Sequence, residues 1–136
     1  MARGIAVVFA YAGHAVTIVD VKTRDPAGFD GAAHEAIGET RATLHTLAQF
    51  GLFPEAAVDQ IVERISVIRE ADAASALAAA AVVFECVPEV LDLKREVLAR
   101  ASAAAGPLPI IASTTSTILV DDLSGAVAQP RLIPSR

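Results

Sequence analysis

The amino-acid sequence predicts an α/β fold, a doubly wound parallel sheet, from three observations. Short β-branched runs alternate with longer stretches of helical periodicity, the pattern of parallel strands joined by right-handed crossovers. The run Val16-Thr17-Ile18-Val19 is apolar or β-branched throughout, as suits a buried parallel strand. It follows an apolar helical stretch and a glycine, and Asp20 closes it.

Each element has its own justification. Ile5, Val8, Phe9 and Ala12 recur at helical spacing, and Gly13 is expected to end that helix through a left-handed backbone. Val21–Asp30 reads as a polar loop broken by Pro26 and Gly28. From about Gly31 to Gln49, Ile37, Leu44 and Leu47 give a loose helical stripe that Gly51 stops. Pro54 then opens a second helix carrying Val58, Ile61 and Val62. The two form a helical hairpin between strands, longer than a crossover needs. Ile65–Ile68 is the next strand, with Asp72 expected to cap a short helix, Ala73–Ala80. Ala81–Phe84 is a strand, and Pro88 begins a helix to about Ala104 with the stripe Val90, Leu93, Val97, Leu98. Ile110–Ala112 is a strand, followed by a hydroxyl-rich turn and a final helix near Val120–Val127.

The bulk properties fit one domain or part of one. The 136 residues are 54% hydrophobic, with a mean hydropathy of +0.51, which argues for a packed globule. Net charge is −5, so the sequence has no electrostatic footprint for nucleic acid or an anionic membrane. The single cysteine, Cys86, excludes an internal disulfide and fits a reducing cytosol. No apolar run reaches the roughly 18 residues of a membrane span. Ile5–Ala12 is apolar enough to mimic a signal peptide, but a strand stands where a cleavage region would be.

Asp20 carries the first functional signal. An acid at the tip of the second strand, roughly 20 residues after a glycine-rich turn, is the ribose-binding position of a dinucleotide (Rossmann-type) fold. On that reading a first strand and the first glycines of G-x-G-x-x-G/A are expected before Met1, with Ala2 as the third small position. Met1 and Ala2 would open the first helix, whose free N–H groups and dipole attract a pyrophosphate. The plainer alternative is a disordered terminus bearing a free amine. Asp20 would accept bonds from the ribose hydroxyls and repel a 2′-phosphate. Unit charges 4 Å apart repel by about 1 kcal/mol in water and ~4 kcal/mol at an effective dielectric of 20. The expected cofactor is therefore NAD rather than NADP.

Three ordered motifs carry a family resemblance. Met-Ala-Arg-Gly-Ile-Ala leads to Ala-Gly-His-Ala-Val-Thr-Ile-Val-Asp; Val83-Phe84-Glu85-Cys86-Val87-Pro88-Glu89 is followed by Leu93-Lys94-Arg95-Glu96; and Ala112-Ser113-Thr114-Thr115-Ser116 comes third. Together, to about Pro130, they resemble the NAD-binding domain of the 3-hydroxyacyl-CoA dehydrogenases. The resemblance implies a partial dinucleotide-binding domain over residues 1–136, without its first and sixth strands and without the helical substrate and dimerisation domain. It implies oxidation of a 3-hydroxyacyl-CoA with NAD by a parent protein that is a homodimer. It also implies a catalytic histidine in a His-x-x-Asn-Pro motif, a position that none of His14, His34 or His45 occupies.

The resemblance assigns Glu89 and Lys94 to the nicotinamide half of the cofactor; Glu85 is a secondary candidate for a loop contact. Their plain readings are a first-turn acid on a helix dipole and a lysine on a solvated face. Ser116 matches the serine that hydrogen-bonds the substrate's reacting oxygen beside the nicotinamide. Its plain reading is a cap for the next helix. Thr114 stands where the family usually has Asn. Cys86 reads as a small core residue rather than a nucleophile. Two alternatives remain: a dehydrogenase of a small hydroxy acid or sugar acid, and a non-catalytic fragment that binds NAD weakly or only within a larger assembly.

Overall fold

A computed structural model describes residues 1–128 and, for the backbone, 132–134. The chain forms two compact units, Met1–Glu70 and Ala71–Arg136. Every strand pairing is parallel, and the strands form two sheets.

In the first unit, α1 (Ala2–Tyr11) leads through Gly13 to β1 (Val16–Asp20). Gly13 has φ +96°, a left-handed conformation that a Cβ would oppose, so the expected stop is present. The buried face of α1 differs from the expected stripe. It is Ala6, Val7 and Ala10, whereas Val8 is 62% exposed. The helix is apolar on nearly every side, so periodicity alone left its rotation open.

The expected loop over Val21–Asp30 is half helix. α2 spans Pro26–Gln49, because Pro26 fits the first turn and the Asp25 side chain accepts from the Gly28 amide at 2.7 Å. A Cβ at Gly28 would stand 2.7 Å from Asp25 Oδ1, so glycine there admits the cap. Gly51, at φ +80°, follows the helix end. Pro54 precedes a 3₁₀ turn, Glu55–Ala57, and then α3 (Val58–Val62). β2 (Ile65–Arg69) pairs with β1, from Val16 opposite Ile65 to Asp20 opposite Arg69. Ala6, Val7, Ala10, Leu44, Val58, Ile61, Val62 and Ile65 form this unit's core.

In the second unit, α4 (Ala74–Ala79) follows a 3₁₀ turn, Glu70–Asp72, and its N-cap is Ala73. The expected cap by Asp72 is not made, since the 3₁₀ turn displaces that residue from the helix start. β3 (Val82–Glu85), α5 (Leu91–Ala105), β4 (Ile110–Ser113) and α6 (Val120–Ser124) follow. The sixth strand, expected to be missing, is represented by a short β5 (Leu132–Pro134) beside β4. Three residues of the Arg-Leu-Ile-Pro tail are enough to extend a parallel edge. Leu98, Ile111 and Leu123 are the buried centre of this unit. Among the described residues no helix is long and apolar enough to cross a membrane.

Candidate active site

β3 and β4 end together, with Glu85 opposite Ser113, and both are buried. The carboxyl ends of parallel strands are where α/β folds place ligands. Beyond β3 the chain turns through Cys86–Val90 into α5. Beyond β4 it makes the Thr114–Leu119 turn.

Lys94 anchors the first loop from behind. The plain reading, a lysine on a solvated face, fails: the residue is 0% exposed. The buried positions of α5 are Lys94, Val97, Leu98, Ser102 and Ala105, a helical face that includes the lysine. Its ammonium donates to both oxygens of Glu85 at 3.1 Å and to the Val87 carbonyl at 3.1 Å. It also stands 3.3 Å from Glu89 Oε2. Such a charge is tolerable in the interior only because opposite charges and hydrogen bonds surround it. Glu85 is saturated in turn, accepting from the Val87 amide at 2.7 Å and the Ser113 hydroxyl at 2.5 Å.

Glu89 Oε1 holds the second loop. It accepts from the Thr115 hydroxyl at 2.6 Å, the Ser116 and Thr117 amides at 2.9 Å, and the Thr117 hydroxyl at 3.0 Å. The Thr115 hydroxyl and the Thr117 amide, followed by the Ser116 amide, hold this carboxyl well below the usual carboxylate range. The carboxylate therefore stays ionised and clamps the turn. Ser116 is exposed there, and its hydroxyl makes no hydrogen bond among the described residues. Its cap reading fails, since the N-cap of α6 is Leu119 without a side-chain bond. Burial, and then the neighbouring Glu85 charge, push the Cys86 thiol up, which disfavours a thiolate nucleophile.

Glu85 and Ser113 are the residues that sequence reasoning undervalued. The available signal was an acid closing an apolar strand, in the pattern Val-Val-Phe-Glu, with a lysine nine positions on that falls on the buried face of the following helix.

Met1, Ala2 and Asp20 lie in the first unit. Met1 is the N-cap of α1, 83% exposed and without a side-chain cap bond, and Ala2 is the first helical residue. An uncapped helix start followed by a strand ending in an acid fits the donors and acceptor a dinucleotide needs. Asp20 is at the tip of β1, but both its oxygens are engaged. Oδ1 accepts from the Lys22 amide at 3.2 Å and Oδ2 from Arg24 Nε at 2.7 Å. No cluster of metal-ligating side chains is present among the described residues.

The family described as 3-hydroxyacyl-CoA dehydrogenase, NAD binding domain, matches residues 1–133. An L-carnitine dehydrogenase of Streptomyces coelicolor is 40% identical over 89 residues, covering 65% of this chain and 26% of that protein. A solved (S)-3-hydroxybutyryl-CoA dehydrogenase from Ralstonia eutropha superposes with a TM-score of 0.83 at 27% identity, covering 98% of this chain and 44% of that one. A 3-hydroxybutyryl-CoA dehydrogenase from Escherichia coli K12 gives 0.80 at 26% identity, covering 97% of this chain and 26% of that one. The chain thus spans between about a quarter and under half of the length of these relatives.

Proposed function

Since the chain belongs to the 3-hydroxyacyl-CoA dehydrogenase NAD-binding domain family, we propose that it is the nucleotide-binding part of an enzyme that interconverts a 3-hydroxyacyl-CoA and its 3-keto form. NAD, held at the start of α1 and at the tip of β1, would supply the hydride acceptor for the carbinol carbon. The observation that carries the proposal is the unengaged Ser116 hydroxyl on a turn that Glu89 immobilises. Ser116 donates to the substrate's reacting oxygen and orients it. Glu89 fixes the turn that carries Ser116 at the cofactor side, and Lys94, buried behind it, holds that carboxylate in place.

The alcohol's proton needs a base, and residues 71–136 contain no histidine. None of His14, His34 or His45 lies in a His-x-x-Asn-Pro motif, so we expect no turnover from the 136 residues alone. A homodimeric, cytosolic parent with a helical substrate domain completes the proposal. A second reading, a dehydrogenase of a small hydroxy acid, is favoured by the 40% identity to L-carnitine dehydrogenase.

The test is an NADH-oxidation assay on the enzyme that contains this domain, with acetoacetyl-CoA and with small 3-oxo acids. Turnover of acetoacetyl-CoA supports the first reading. Turnover confined to the free acids establishes the second.

A further inference from the structure

The expectation that Asp20 repels a phosphorylated ribose assumed a free carboxylate. The structure removes that assumption. Asp20 is paired with Arg24 and bonded by the Lys22 amide, and its side chain is 17% exposed. The neighbouring acid, Asp25, is committed to the Gly28 amide. Directly opposite Asp20 across the parallel ladder stands Arg69. Its guanidinium lies 4.6 Å from the centroid of the Phe29 ring. Its Nε is buried without a hydrogen-bond partner, and among the described residues it has no ion pair. That leaves the guanidinium uncompensated by any carboxylate, at a cost that an anion near its terminal nitrogens would offset.

Arg24 contributes further donors. Its Nε serves Asp20, and its terminal nitrogens make no hydrogen bond among the described residues. Two arginines thus belong to the carboxyl end of β1 and β2: Arg24, paired with Asp20, and Arg69, opposite Asp20 in the strand register. Planar forks of this kind match the oxygens of a phosphate monoester.

We propose that Arg24 and Arg69 form a subsite for a 2′-phosphate on the adenosine ribose, so that the domain accepts the phosphorylated dinucleotide as well as NAD. The inference rests on reading the β1 tip as the ribose site.

The test is calorimetric titration of the 136-residue chain with 5′-AMP, adenosine 2′,5′-bisphosphate, adenosine 3′,5′-bisphosphate and inorganic phosphate. The 2′,5′-bisphosphate should bind at least about tenfold more tightly than 5′-AMP, the gain expected of a charge-assisted bidentate contact. Arg24→Gln, a surface change, and Arg69→Met, which keeps the stem on Phe29, should each reduce that ratio. Equal binding of 5′-AMP and the 2′,5′-bisphosphate overturns the inference and leaves the ribose site standing. An equal gain from the 3′,5′-bisphosphate, or inorganic phosphate binding as tightly as the 2′,5′-bisphosphate, shows general anion attraction and overturns it too. A ratio that survives in the double variant does the same. Absence of binding by every nucleotide removes both the inference and the ribose site.

Discussion

Glu89 Oε1 collects donors from four consecutive residues, Thr115, Ser116, Thr117 and Ile118. These bonds favour the ionised carboxyl and pull its pKa below the ordinary glutamate value of about 4.3. The sign follows from linkage: a depressed folded value stabilises the turn above the ordinary pKa and loses that stabilisation as pH falls through the depressed one. The Ser116 and Thr117 amide resonances should therefore hold constant from pH 7 to about 4.5 and move only in stronger acid. A titration centred at the ordinary glutamate value would contradict the clamp. Lys94 offers a second residue-scale prediction. Lys94→Met leaves Glu85 buried without its cation and should cost about 3–5 kcal/mol in denaturant unfolding. A loss under about 1 kcal/mol would place the lysine outside the network. The two motifs containing Glu89 with Lys94, and Ser116, were legible in the sequence. Their wiring was not, because strand pairing between Glu85 and Ser113 brings together residues 28 positions apart. The Arg24 partner of Asp20 escaped for a related reason: loop side chains follow no period.

At the scale of elements, α2 depends on a local cap and a distant core. Asp25→Ala removes the bond to the Gly28 amide and should destabilise the first unit by about 1 kcal/mol. Leu44→Ala opens the centre of that unit's core and should cost about 2–5 kcal/mol. Both are checked by urea unfolding, and equal effects would mean that the core is not centred on Leu44. Strands β1 to β4 were legible to within a residue or so, because β-branched runs bounded by Gly, Pro and Asp leave few alternatives; β5, three residues long, was not. Helix starts were less so. Pro26 reads equally as loop breaker and first helical residue, and only the Asp25 bond decides. The rotation of α1 was hidden by apolar residues on all its sides. On α5 the stripe was partly right, since Val97 and Leu98 are buried, but Val90 is 54% exposed and Lys94 takes the inner place.

For the whole molecule, the family and the NAD-binding fold were legible from three short motifs in order, and the match over residues 1–133 bears them out. What the chain acts on was less so, because substrate identity depends on groups outside these motifs. The central claim is that the turn after β4 exists to present Ser116 to the reacting oxygen. The most direct test is kcat of Ser116→Ala in a dehydrogenase assembled from this domain and a histidine-bearing segment of the family. The account predicts a fall of at least about tenfold, equivalent to ~1.4 kcal/mol in the barrier, with a smaller change in cofactor affinity. A kcat within about twofold of the parent would contradict it and leave the turn a purely structural device.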